Sequence, residues 1–290
     1  MTNAGDDTVS VISSSTNQVI ATIGVGDSPF GVAVDPPRAR AYVTNAFDGT
    51  VSVISTRNNR VVGAPITVGT GPTAVAVDSI RARAYVVNFN SVSVINTRNN
   101  RVIGSPITVG DGPNAVAVDP SRARAYVTNE NDNNVSVIDT NNNTVIATIP
   151  VGTNPAGVGV DPSTARAYVT NFEDDNVSVI DTNNNTEILP RITVGNGPWD
   201  VAVDPSSDRA YVTNFEDDNV SVIDTNNNTE ILPRITVGDG PRGVAVDPPR
   251  DRAYVTNFLS PNTASVIDAN NNQVIATPTV GNNPYGVAAF

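Results

Sequence analysis

The stretch RAYVTNFEDDNVSVIDTNNNTEILPRITVGNGP, residues 166–198, recurs at residues 209–241 with a single change, Asp239 for Asn196. It reads as three strands with turns between them. RAYVTN and NVSVID alternate β-branched or aromatic residues with small or polar ones, as half-buried strands do. TNNNT follows, where asparagines tolerate left-handed backbone angles and favour a hairpin turn. The proline of ILPRITV cannot donate to a ladder, which places that segment at a sheet edge. DVAV at residues 200–203 is a fourth strand, and the Asp-Pro pair after it suits a tight turn into the next RAYVTN.

Working outward, these four segments fill the chain. Strand A (GVAV or a variant) starts at Gly31, Ala74, Ala115, Gly157, Asp200, Gly243 and Gly286. Strand B carries Tyr42, Tyr85, Tyr126, Tyr168, Tyr211 and Tyr254, spaced 41 to 43 residues apart. The VSVI of strand C begins at Val9, Val51, Val92, Val135, Val177 and Val220, with an altered copy from Ala264. Strand D is marked as an outer edge by Pro65, Pro106, Pro190, Pro233 and Pro278.

Four antiparallel strands per unit, seven units and no helical periodicity predict an all-β, seven-bladed β-propeller spanning residues 1–290 as one domain. A linear solenoid has the same local pattern, and the ends of the sequence decide between them. The chain opens on the tail of a strand B followed by C and D, and closes on GVAAF, a strand A. Joined, the two ends complete one blade and close a ring. Met1 stands where the second residue of YVTN belongs, so the chain reads as an excised or redesigned ring, and the lack of a leader peptide carries no information.

Composition removes several chemistries. There is no cysteine and no histidine, and all 17 basic residues are arginine. Disulfides, thiolates, imidazole metal ligands and lysine Schiff bases are therefore excluded. A formal net charge of −12 argues against nucleic acid, whose phosphates need a basic face. No apolar run approaches the ~20 residues that span a bilayer, so no membrane insertion is expected.

Taken together, YVTN, GVAVDP and VSVID resemble the YVTN family of β-propeller repeats, found in archaeal surface-layer and other cell-surface proteins. The resemblance covers essentially the whole chain. It implies a cell-surface or extracellular setting, with the A–B and C–D loops on one face of the ring and the B–C and D–A loops on the other. Most arginines then fall near the first face, and the acidic FEDD loops at 172–175 and 215–218 on the second. Related propellers include lactonases and the haem-binding domain of nitrite reductases. The latter depends on an axial histidine, which this chain lacks.

Most repeated residues have packing roles. The strand B tyrosines are expected between blades. Asp35, Asp78, Asp119, Asp161, Asp204 and Asp247 enter the A–B turn, where a carboxylate accepts backbone N–H bonds or pairs with a nearby arginine. The FEDD loops cluster acids in a way that suits a hard cation, but without a glycine-spaced ligand pattern, and no metal site is assigned.

One position breaks the repetition. Between the D–A loop proline and strand A the chain places Phe30, Thr73, Asn114, Ala156, Trp199, Arg242 and Tyr285. They should ring the upper mouth of the central channel, with Trp199, Arg242, Tyr285 and Phe30 as one arc. Beside Trp199, Asp200 replaces the Gly or Ala of the other copies. Aromatic rings with one guanidinium and one carboxylate suit sugar rings or peptide side chains. The candidate ligand-binding set is Phe30, Thr73, Asn114, Trp199, Asp200, Arg242 and Tyr285, in a monomer that needs no cofactor and takes a glycan, peptide or protein at its top face. A lactonase-like hydrolase is the alternative, but Asp200 is the one nonrepeated carboxylate at the mouth, with Glu130 more distant, and no catalytic residue is assigned.

Overall fold

A computed structural model describes all residues 1–290, and they form a closed ring of seven antiparallel sheets. Blade four is representative: Pro155–Asp161 (A) lies innermost, followed outward by Arg166–Asn171 (B), Asn176–Asp181 (C) and Thr186–Thr193 (D). B and C pair without interruption, from Arg166↔Asp181 to Asn171↔Asn176. A and B pair with a bulge between Pro155 and Val158. D is an edge in every blade, including the closing one, whose Gln18–Gly24 carries no proline. In blades one and two it breaks into two pairs of residues, Arg60–Val61 with Ile66–Thr67 and Arg101–Val102 with Ile107–Thr108. Gly63 and Gly104, with φ of +75° and +71°, turn the chain out at those breaks.

Turn chemistry follows the residues. The last asparagine of each C–D turn adopts a left-handed backbone, from Asn17 at φ 54° to Asn143 at φ 60°. The A–B turn also contains a left-handed residue, here an alanine in four blades: Ala39, Ala82, Ala123 and Ala165. Nothing in its side chain announces this. The buried aspartate of the turn supplies the constraint instead. Asp119, fully buried, accepts N–H bonds from Ser121 and Arg122 and an ion pair from the Arg122 guanidinium at 3.0 Å. Arg122 then reaches the Pro162 carbonyl of the next blade. Arg38 and Arg81 pair with Asp35 and Asp78 in the same way. In blades four and five serine or threonine hydroxyls take over, as Ser163 and Thr164 donate to Asp161.

The core lies between blades. Tyr168 is wholly buried against Val177, Val179 and Ile192 of its own blade and Val201, Val212 and Ile223 of the next. Its hydroxyl donates to Asn228 Oδ1 at 3.2 Å, in the C–D turn of blade five. Tyr42 and Tyr85 repeat the contact with Asn100 and Asn143. On the opposite face the acidic B–C loops tie down the D–A loops. Within a blade, Asp48, Asp132, Asp174 and Asp217 accept N–H bonds from Asp27, Asp111, Thr153 and Asn196. Asp7, Asp175 and Asp218 accept from Ser28, Gly197 and Gly240 of the following blade. The paired acids of FEDD thus serve as one strap within a blade and one between blades.

The seventh blade closes the ring from both ends. Thr2–Asn3, Thr8–Ser13 and Gln18–Gly24 form its sheet, and the C-terminal segment docks inside them through Thr2 N–H to Gly286 O and Tyr285 N–H to Thr2 O.

Candidate functional site at the channel mouth

A ring of hydroxyls fixes the seven variable residues. The threonine of each YVTN donates to the carbonyl of the variable residue in the next blade: Thr2 to Phe30 (2.6 Å), Thr44 to Thr73 (3.2 Å), Thr128 to Ala156 (2.8 Å), Thr170 to Trp199 (3.0 Å), Thr213 to Arg242 (2.6 Å) and Thr256 to Tyr285 (2.8 Å). Blade two reads YVVN, with Val87 in place of the threonine. There Thr73 itself, from the variable position, donates its hydroxyl to Asn114 O at 3.1 Å and closes the gap. Because the main chain is held through its carbonyl, the side chain at this position is not needed for the fold, except in blade two, where the Thr73 hydroxyl is itself the holding donor.

Four of the seven side chains gather into one cluster. Phe30 stacks on Tyr285, centroids 4.5 Å apart and planes 11° apart. The Arg242 guanidinium carbon lies 4.3 Å from the Trp199 ring centroid, 4.7 Å from Tyr285, 4.1 Å from Phe258 and 5.2 Å from Phe215. Each such contact is worth ~0.5–2 kcal/mol. Burial pulls the Arg242 pKa down from its usual value, and burial pushes the Tyr285 phenol up against the opposing pull of Arg242. The arginine is therefore solvated by rings of its own protein, not held out towards solvent.

Asp200 is also engaged. Its Oδ1 accepts the Val201 N–H at 2.8 Å and its Oδ2 the Val244 N–H of the next blade at 3.0 Å. Burial raises its pKa from 3.8 to about 6, against the pull of these two donors. A raised carboxyl pKa means that the folded state binds the proton more tightly than the unfolded one. The stability linked to it is full below about pH 4 and is lost as pH rises through about 6. Relative to Asp200→Asn, the wild-type protein should lose about 1–2 kcal/mol between pH 4 and pH 7, read as a pH-dependent difference in urea midpoints.

Beneath this cluster a cavity of about 150 Å³ opens on the channel, lined by Thr73, Asn114, Ala156, Trp199, Asp200 and Tyr285 among others. Of the sequence-derived set, Phe30 and Arg242 are not in its wall; they back Tyr285 and Trp199 from behind. Asn114 Nδ2 lies 3.4 Å from Glu130 Oε2, which brings the more distant carboxylate to the rim. No group of three histidine, cysteine, aspartate or glutamate side chains converges to hold a metal ion.

With this geometry in view, residues 102–237 match the family described as "Lactonase, 7-bladed beta-propeller". The match spans 136 residues, slightly under half of the chain, and supports a seven-bladed propeller of that kind. No curated protein matches the chain. Among solved structures, a functionally unknown protein from Desulfotomaculum acetoxidans superposes with a TM-score of 0.84 at 16% identity, covering 98% of this chain and 96% of the other. Hydrazine synthase from Kuenenia stuttgartiensis gives 0.80 at 21% identity, covering 92% and 91%. A dihydro-heme d1 dehydrogenase in complex with DHE gives 0.71 at 16% identity, covering 98% of this chain and 73% of that one. At such identities the likeness is one of fold.

Sequence reasoning did not include Phe172, Phe215 and Phe258 in the site. Each belongs to a B–C loop and meets the mouth residue of the following blade: Phe172 meets Trp199 at 5.6 Å, Phe215 meets Arg242, and Phe258 meets Tyr285 at 6.1 Å. Phe89 occupies the same place directly after the strand B asparagine, but the next mouth residue is Asn114 and its ring stays 69% exposed; in blade one that place is Ala46, and Phe47, one residue on in the place of Glu173, is 80% exposed. The available signal was the pairing of a loop phenylalanine with a large mouth residue one blade on.

Proposed function

We propose that the protein is a noncatalytic, monomeric cell-surface module of the YVTN-repeat kind, which takes a sugar ring of a glycan, or a peptide side chain of similar size, at the upper mouth of its channel. The observation that supports this best is the cavity, in which the rings of Trp199 and Tyr285 meet the polar groups of Thr73 and Asn114. Flat apolar faces beside a few fixed donors and acceptors are what such ligands need. The packed cluster of Phe30, Arg242 and the loop phenylalanines holds the two lining rings rigid, which lowers the ordering cost of binding. The overall negative charge favours neutral or cationic ligands.

The test is a glycan and peptide array followed by calorimetry on any hit. Trp199→Ala is expected to weaken binding at least tenfold while leaving the B-strand core intact, because the Trp199 main chain is held by Thr170. Equal affinity of the variant would remove the mouth as the binding site.

The family match over residues 102–237 supports a second reading, lactone hydrolysis at the same mouth. Asp200, with a pKa near 6, would then act as the base. Both of its oxygens are already occupied by N–H groups, which weighs against that role. Turnover of a lactone panel that disappears in Asp200→Asn would establish it.

A further inference from the structure

In six blades strand A is the inner edge of its sheet, and the alternation of a strand decides what that edge offers to the channel. The residue after the variable position turns its N–H outward: Gly31, Gly157, Asp200 and Gly243 donate to the threonine hydroxyl of their own strand B. In the closing blade Gly286 donates to Thr2 Oγ1 in the same way. Successive residues point their N–H groups to opposite sides. The valine that follows therefore directs its N–H at the axis, where no further strand pairs with it. Strand A runs downward from the mouth, and an N–H precedes its own carbonyl along the chain. The first inward ring below the mouth is thus a ring of donors.

Asp200 shows what these donors accept. Its carboxylate takes the N–H of Val201 at 2.8 Å and that of Val244 at 3.0 Å, bridging two blades. Every other blade has Gly or Ala in the place of Asp200, so no side chain can repeat the bridge. Val287, Val32, Val75, Val116 and Val158 are left as an unbroken arc, and all five line the cavity of about 150 Å³, whereas Val201 and Val244 do not. A positive charge stands beside the arc. Arg242 forms no ion pair, and its Nε is buried without an acceptor. It packs on Trp199 and Tyr285, which are the cavity wall. Converging backbone N–H groups make anion-binding concavities, and bonds to a charged acceptor are about twice as strong as neutral ones. The net charge of −12 disfavours anions on approach, but that field is screened within about 8–10 Å at physiological salt, and the donors act at contact.

We infer that the floor of the cavity is a carboxylate seat, and that the sugar taken at the mouth is a sugar acid, a hexuronate residue. The inference rests on the reading of the mouth as a sugar site and adds which group enters first. The ligand carboxylate accepts from the valine N–H arc opposite Asp200, while its ring lies against Trp199 and Tyr285. A neutral hexose makes the ring contacts alone.

Trp199 is the only tryptophan and lines the cavity, so its fluorescence reports occupancy. Acetate, glucose and glucuronate are titrated into the full chain at constant ionic strength, with amide NMR in parallel. Acetate should shift the amide resonances of Val32, Val75, Val116, Val158 and Val287 saturably and those of Val201 and Val244 least. Glucuronate should bind about tenfold or more tighter than glucose. Asp200→Ala places at this site a residue that other blades carry, frees two donors and removes a like charge, and should tighten acetate about tenfold. Ala115→Asp builds the Asp200 bridge onto Val116 and Val158 and should weaken acetate about tenfold. Thermal melts establish that both variants keep the ring. Absence of saturable shifts at the five amides, or acetate affinity unmoved by both variants, would overturn the seat; glucose binding in that case would leave the sugar reading of the mouth standing. Equal affinity for glucose and glucuronate would overturn the hexuronate assignment. Acetate binding with neither sugar bound would overturn it together with the sugar reading.

Discussion

Tyr168→Ala is expected to destabilise the ring by about 3–5 kcal/mol, the cost of emptying a fully buried aromatic site that cannot collapse. Tyr168 has no solvent exposure and packs against strands of two blades, so its loss opens a cavity at an interface, not inside one sheet. Tyr168→Phe keeps that volume and removes only the bonds to Asn228 and Thr225, and should cost about 1 kcal/mol. Urea unfolding of the two variants separates the terms. A Tyr168→Ala protein as stable as Tyr168→Phe would mean that the blades do not depend on these rings.

Asp119→Ala should cost about 2–4 kcal/mol, although the residue sits in a surface turn. The carboxylate is fully buried and organises the Ser121 N–H and hydroxyl, the Arg122 N–H and the Arg122 guanidinium. Burial alone would raise its pKa; the hydrogen bonds from Ser121 and Arg122 outweigh burial and hold it below the ordinary value of 3.8. A depressed carboxyl pKa contributes stability above the unfolded value and loses it as the pH falls. The gap between wild type and Asp119→Asn should therefore be constant near neutrality and shrink below about pH 4. This is the opposite sign to Asp200, and the two variants measured across pH 3 to 7 should show opposing slopes.

The ring was legible in the sequence because every level agrees. Strand alternation, asparagine turns, edge prolines and the complementary ends all specify one architecture, and the sheet order follows them. The sequence marks the aspartates of the A–B turns as acceptors for backbone N–H groups or partners for arginine; their burial, which the sequence does not display, makes them more consequential than an exposed pair. The mouth was only partly legible. Position in the repeat was enough to place Thr73, Asn114, Trp199, Asp200 and Tyr285 at one cavity. It was not enough to show that Arg242 would be enclosed, because Phe215 and Phe258 come from other blades and meet it only once the ring is assembled. Nor does any local pattern reveal that Ala82 or Ala123 is left-handed, since the buried carboxylate nearby imposes that angle.

The hydroxyl ring separates two tasks that most binding sites combine. One layer of atoms, the threonine Oγ1 groups and the carbonyls they hold, carries the architecture, and the side chains at the mouth form a second layer that the fold leaves free to vary, with Thr73 alone belonging to both. Such a mouth is a scaffold on which side chains can be exchanged without disturbing the bonds that hold the ring. Natural variation or directed libraries can rewrite its side chains one blade at a time, and where the preceding blade carries Phe89, Phe172, Phe215 or Phe258 that ring is placed to meet a large residue at the mouth.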